Sequence, residues 1–114
     1  IRGRKKIDYI IILIISIINI INMSNEICVC IPKIDKNINK KFIQKTFEEY
    51  NIGTIKKIHL IISKEKNNKL GFIYFHKLNN TKNGNIVNNC LQNEEDFKII
   101  YSFPWYWKCY KAKQ

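Results

Sequence analysis

Two strand-like runs in the middle of the chain restrict its fold more than any other feature. Residues 54–63 (TIKKIHLIIS) and 69–78 (KLGFIYFHKL) are rich in β-branched and aromatic residues, which favour strands. Only the short polar turn 64–68 separates the two runs. A connection of this length joins antiparallel neighbours, so the runs predict a pair of antiparallel strands.

One strand and one helix are predicted before this pair. Residues 26–31 (EICVCI) alternate in the manner of a strand, and Pro32 is expected to end it because proline cannot donate to a ladder. Residues 39–50 (NKKFIQKTFEEY) carry apolar side chains at helical spacing, with Asn37 or Asn39 as the N-cap and a stop at residues 51–53.

One helix and a hairpin are predicted after the pair. Residues 81–92 indicate a short second helix, although asparagine is a weak helix former. Residues 97–102 and 105–111 are strand-like on either side of a Phe-Pro pair. They predict a hairpin whose second arm is the last strand of the main sheet.

The order strand, helix, strand, strand, helix, strand predicts an α+β fold of the ferredoxin-like βαββαβ type. We expect a four-stranded antiparallel sheet with two helices on one face and an extra C-terminal hairpin. The 114 residues suffice for one domain, and a hydrophobic content of 46% excludes wholesale disorder. Because the helices cover only one sheet face, function is expected on the open face.

Residues 1–22 differ from the rest and are interpreted as an extension outside the domain, which spans residues 23–114. They hold both arginines and the apolar run 9–21 (YIIILIISIINII). We expect natural translation to start at Met23, the only methionine. The alternative is a short membrane anchor, but the run is shorter than the roughly 20 residues that span a bilayer. Membrane contact is therefore not expected unless residues 1–22 are native.

Residues 68–75 (NKLGFIYF) resemble the third-strand motif of the RNA recognition motif family. The match lies at Gly71, Phe72, Ile73 and Phe75, whereas the motif's basic residue, its glycine and its first aromatic are missing. The family's first-strand hexamer falls on residues 27–32. The ending FPWYWK (103–108) is similar to that of small RNA-recognition-like proteins of large DNA viruses.

Strand alternation assigns these residues to the two sheet faces. Residues 27, 29, 31, 71, 73 and 75 should face the helices, and Cys28, Cys30, Leu70, Phe72 and Tyr74 the open face. The resemblance implies that open-face aromatics stack bases. Phe72 and Tyr74 are therefore the expected stacking residues. Leu70 and Cys28 occupy the family's other two platform positions.

The aromatic tail divides between the same two faces. Trp105, Trp107 and Cys109 share one face, and we expect the tryptophan pair to be core. Tyr106, Lys108 and Tyr110 share the open face, where aromatics interleaved with a cation suit single-stranded nucleic acid. The residues expected to contact phosphates are Lys69, Lys108, Lys111 and Lys113.

Charge permits such binding without specifying it. The formal net charge is +11, and residues 23–114 contribute +8 through lysines alone, without arginine. Lysine binds phosphate as a point charge, whereas arginine is preferred for bidentate contacts with bases. Isoleucine, lysine and asparagine also make up about half of the chain, as an AT-rich genome would produce.

No motif indicates catalysis, a metal or a cofactor. The cysteines at positions 28, 30, 90 and 109 lack the spacing of zinc ligands. There is no glycine-rich phosphate loop, nucleophile elbow or His-Glu zinc motif. The chain is therefore expected to be non-enzymatic. We also expect it to be intracellular, in the cytoplasm or nucleus, with reduced thiols. The resemblance of the ending to viral proteins implies that the cell could be a virus-infected one.

The sequence favours weak binding of RNA or other single-stranded nucleic acid on the open face. The alternative is a protein-interaction or structural module of the same fold, which has lost RNA binding because Cys28 and Leu70 replace platform aromatics. In that case a protein partner, a second copy or the tail covers the open face.

Overall fold

The computed structural model describes residues 13–14 and 26–113. Residues 26–113 form two helices and five strands. The interpretation of residues 1–22 therefore lies almost wholly outside the described residues. The elements, in chain order, are β1 (Ile27–Asp35), α1 (Lys40–Glu49), β2 (Gly53–Ser63), β3 (Asn68–Leu78), α2 (Lys82–Gln92), β4 (Phe97–Ser102) and β5 (Trp105–Lys111). The fold is α+β.

The strands form one five-stranded antiparallel sheet in the order β2-β3-β1-β5-β4. The prediction of a four-stranded sheet is therefore wrong by one strand, because both arms of the C-terminal hairpin join it. The second arm, β5, pairs with β1 through Cys30 and Tyr110. The first arm, β4, pairs with β5 and forms an edge of the sheet.

Strand β1 continues past Pro32, contrary to the prediction that this proline ends it. The pairing with β3 shifts register between Ile31 and Ile34, which face Gly71 and Lys69. One extra residue of β1 is therefore accommodated as a bulge. A bulge leaves a residue out of the hydrogen-bond ladder, so it tolerates a residue without an N–H group.

Both predicted helices are confirmed, and each has a side-chain cap. The Asn39 side chain accepts a hydrogen bond from the Phe42 N–H at 2.9 Å, and the Thr81 hydroxyl accepts one from the Gly84 N–H at 3.0 Å. After α1 the chain turns through Asn51 at a φ of 54°, a left-handed conformation that asparagine tolerates. Within the described residues, no helix has the length and apolar character needed to cross a bilayer.

The core lies between the two helices and one face of the sheet. Trp107 is 2% exposed and stacks on Tyr101, with 4.6 Å between ring centroids. Trp105 is 66% exposed, so the prediction of two core tryptophans holds for Trp107 alone. Trp105 is the first residue of β5, beside the exposed turn at Phe103 and Pro104, and lies outside the core cluster. The sheet and helix residues of the core include Val29, Ile31, Ile43, Phe47, Ile73, Phe75, Val87, Leu91 and Ile99.

Candidate nucleic-acid interface

The sheet face opposite the helices carries the aromatic side chains predicted for it. Along β3 the side chains alternate: Ile73 and Phe75 are buried in the core, whereas Phe72 and Tyr74 are half-buried on the other face. Leu70 is half-buried on that same face by alternation. The two families of side chains therefore lie on the faces that the sequence pattern indicates.

Antiparallel pairing arranges the open-face residues in rows across the strands. In one row, Tyr74 lies between Lys57 of β2 and Cys28 of β1. The next row contains His59, Phe72, Cys30 and Tyr110, in the order β2, β3, β1, β5. Phe72 and Tyr110 are thus two strand spacings apart, roughly 10 Å, with the small Cys30 between them.

The aromatic tail extends this face sideways. Because β5 pairs with β1, it lies within the sheet, and its open-face residues continue the surface formed by β1 and β3. Tyr106 is 48% exposed and Tyr110 is 37% exposed, while Trp107 and Cys109 between them are buried on the core side. Tyr106, Lys108 and Tyr110 therefore share the open face, as predicted.

Cys28 is on the open face but is not accessible there. It is only 5% exposed, and the Tyr74 hydroxyl is hydrogen-bonded to its sulfur. Burial raises the pKa of the Cys28 thiol to about 11. Repulsion from the Cys28 sulfur in its ionised form raises the pKa of Tyr74, with smaller contributions from burial and the shared hydrogen bond. The prediction of Cys28 as a contact residue is therefore corrected: Tyr74 is the accessible member of the pair.

Three tyrosines of this face each carry a lysine ammonium over the ring. The distances from Nζ to ring centroid are 4.6 Å for Lys57 over Tyr74, 4.8 Å for Lys98 over Tyr106 and 5.7 Å for Lys108 over Tyr110. All three lie within the range of cation–π attraction. The open face thus presents cations beside aromatic rings, the combination that binds both a base and its phosphate.

Lys108 also forms an ion pair. Its ammonium lies 3.2 Å from an Asp96 carboxylate oxygen, and both side chains are about half exposed. The hydrogen bond that the Lys108 ammonium donates to the Asp96 carboxylate, followed by the one it donates to the Tyr110 oxygen, raises the pKa of Lys108. The nearby carboxylate offsets the lysine charge, so Lys108 is a weaker phosphate ligand than its position suggests.

Two predicted phosphate contacts lie on the core side of the sheet. Lys69 pairs with Ile34, shares a face with Gly71, and donates a hydrogen bond to the Ile38 carbonyl at 2.8 Å. Lys111 pairs with Val29 of β1 and so also lies on that side. The hydrogen bond of Lys69 argues against its prediction as an open-face contact, whereas the prediction for the exposed Lys111 stays a prediction. Lys113 is exposed beyond the end of β5.

The sequence pattern alone does not indicate four residues of this surface: Lys57, His59, Lys98 and Asp96. Lys57 and His59 face Tyr74 and Phe72 from β2, and Lys98 reaches Tyr106 from β4. Alternation within a strand predicts which face of the sheet a side chain lies on. Only the register between strands shows which aromatic each one meets.

The comparisons with known proteins do not identify a relative of this chain. No family model, no curated protein and no solved structure matches it. All four cysteines are free thiols. Within the described residues, no group of three histidine, cysteine, aspartate or glutamate side chains could hold a metal ion.

The burial of the Cys28 thiol predicts a loss of stability at alkaline pH. The pKa of Cys28 is raised from 9.0 to about 11 on folding, so the native state keeps a proton that the unfolded chain releases. Its stabilising effect is complete below about pH 9 and is lost as the pH rises to about 11. Urea unfolding across this range should show a steeper decline for the wild type than for Cys28→Ala. Equal declines in the free energy of unfolding of the two proteins would contradict a raised pKa of Cys28.

Proposed function

We propose that residues 26–113 form a domain of the RNA recognition motif type that binds RNA or other single-stranded nucleic acid weakly on its open face. In this assignment β5 takes the place of the fourth strand of a ferredoxin-like βαββαβ sheet, and β4 is an addition at its edge. The observation that carries the proposal is the position of β5. It lies beside β1 and not across the face, so Phe72, Tyr74, Tyr106 and Tyr110 belong to one surface.

The chemistry of this surface supports a single strand as the ligand. Phe72 and Tyr74 offer rings on which bases stack, each typically contributing about 1–3 kcal/mol. Lys57 and Lys98 hold ammonium groups over the Tyr74 and Tyr106 rings. A stacked base would displace each ammonium, and the flexible lysine side chain would then reach the adjacent phosphate. The lysine-only charge of +8 in residues 23–114 attracts phosphates without selecting a sequence. Weak affinity with little sequence preference follows.

Replacing Phe72 by Ala is expected to weaken binding by about 1–3 kcal/mol, because it removes one stacking ring. Fluorescence anisotropy with a labelled oligouridylate at low salt measures the effect. Phe42→Ala is a matched control, since Phe42 is 40% exposed on α1 and packs against Trp107 on the other side of the sheet. Equal affinities of the two variants would reject the stacking role of Phe72.

Salt dependence provides an independent measurement of the lysine contacts. For a single strand, the logarithm of the binding constant is expected to fall with the logarithm of salt concentration, with a slope of about −0.7 for each phosphate neutralised. If Lys57 and Lys98 each neutralise one phosphate, the slope should be about −1.4 or steeper. A binding constant independent of salt would show that lysines do not contact phosphate.

A protein-interaction module remains the second candidate, and the tip of the β4–β5 hairpin favours it. Phe103 is 86% exposed and Trp105 is 66% exposed there. Exposed aromatic patches often mark protein interfaces. Sedimentation together with filter binding separates the candidates: a tight dimer without affinity for RNA would support the module and contradict nucleic-acid binding.

A further inference from the structure

We propose that strand β4 adds a separate nucleotide subsite to the open face, formed by Lys98 and Tyr106. The proposal rests on the proposed function, because its ligand is a nucleotide of the same single strand that stacks on Phe72. The base would lie on the Tyr106 ring, and the Lys98 ammonium would contact the adjacent phosphate. A four-stranded sheet that ends at β5 would contain the tyrosine without this lysine.

The local geometry suits one nucleotide. Tyr106 is 48% exposed and is paired with Ile100, which is itself 44% exposed, so the ring and its neighbour form an apolar surface. Lys98 is two residues before Ile100, on the same side of β4, and its Nζ lies 4.8 Å from the Tyr106 ring centroid. A stacked base takes the place of the ammonium over the ring, and the flexible lysine side chain can then turn to the phosphate.

This subsite is too far from Phe72 to be filled by the same nucleotide. Phe72 and Tyr110 lie in one row, two strand spacings apart. Tyr106 precedes Tyr110 by four residues in β5, so the Cα of Tyr106 lies roughly 16 Å from that of Phe72. A strand that occupies both positions must therefore be several nucleotides long.

Of the two lysines that face each other across this hairpin, Lys98 is the better phosphate ligand. Lys98 and Lys108 are directly paired across β4 and β5. Asp96 lies 3.2 Å from the Lys108 ammonium, and its carboxylate would repel an approaching phosphate. Lys98 instead extends over the Tyr106 ring, at the side of the hairpin where the base would stack. The two lysines therefore form a matched pair for an experiment.

The test uses oligonucleotide length. Tyr106→Ala should weaken binding of an oligouridylate of about nine nucleotides by roughly five- to a hundredfold, with little effect on one of about three nucleotides centred on Phe72. Tyr106→Phe keeps the ring and should retain the wild-type affinity for both lengths. Lys98→Met should reduce the salt slope for the longer strand by about 0.7, and Lys108→Met by less.

The outcomes separate this subsite from the proposed function. If Phe72→Ala weakens both lengths while Tyr106→Ala weakens neither, the subsite is overturned and binding on the central strands stands. If Phe72→Ala weakens binding of neither oligonucleotide, the proposed function is rejected, and the subsite that rests on it is rejected as well. Equal changes in salt slope for Lys98→Met and Lys108→Met would also overturn the assignment of Lys98 as the phosphate ligand.

Discussion

Replacing Trp107 by Ala is expected to lower the free energy of unfolding by about 3–5 kcal/mol, the usual cost of removing a large core aromatic. Replacing Trp105, two residues earlier on the same side of β5, should change it by less than about 0.5 kcal/mol. The two tryptophans differ in surroundings and not in chemistry. Trp107 is 2% exposed, and Trp105 is 66% exposed.

The expected cost at Trp107 comes from its place in an aromatic cluster. Its ring stacks on Tyr101 at 4.6 Å and on Phe47 at 6.3 Å, and Phe42 meets it edge-on at 6.2 Å. Ala would leave a cavity that these rigid rings cannot fill by small movements. The buried Trp107 Nε1 has no hydrogen-bond partner among the described residues, so the expected loss is one of packing. Trp107→Phe should therefore cost clearly less than Trp107→Ala.

Urea unfolding followed by circular dichroism gives the free energies, and fluorescence checks the environments. Trp105→Ala leaves Trp107 as the only tryptophan, so the tryptophan emission of this variant should be blue-shifted and resistant to quenchers. Trp107→Ala leaves the exposed Trp105, whose emission should be red-shifted and readily quenched. Similar destabilisation by the two Ala variants would contradict the burial difference between these side chains.

Period-two alternation within a strand made the faces of β1 and β3 predictable. It separates Phe72 and Tyr74 from Ile73 and Phe75, and the burial of these four side chains follows it. The same rule, applied to Lys69, would have placed this lysine on the core side with Gly71. Lys69 does lie on that side, where it donates a hydrogen bond to the Ile38 carbonyl.

Contacts between strands were not predictable in this way, because they depend on register and on neighbours distant in the chain. Nothing near Lys98 indicates that it lies over the Tyr106 ring, since that contact requires β4 to pair with β5. The contact between Tyr74 of β3 and Cys28 of β1 likewise depends on the pairing of two strands. Trp105 carries the same alternation signal as Trp107, and its exposure depends on where the core ends.

Gly84→Ala is expected to destabilise the domain by about 3 kcal/mol, at the upper end of the usual cost of overpacking. In a helix interior the same change normally stabilises by up to about 1 kcal/mol, because Ala restricts the unfolded chain. Here a Cβ atom at Gly84 would collide with the backbone carbonyl oxygen of Asn79 and lie 3.0 Å from that of Ile52. Steric exclusion therefore reverses the sign of the helix-propensity effect.

The atoms that a Gly84 Cβ would meet cannot easily move aside. The Asn79 N–H donates to the Ile52 carbonyl at 2.8 Å, and the Asn79 side chain donates to the Asn51 side chain at 2.8 Å. Asn89→Ala, at an exposed position of the same helix, is the matched control and should stabilise slightly through helix propensity. Thermal or urea unfolding of the two variants should therefore give changes of opposite sign. A stabilised Gly84→Ala variant would show that α2 does not dock this closely on the segments around residues 52 and 79.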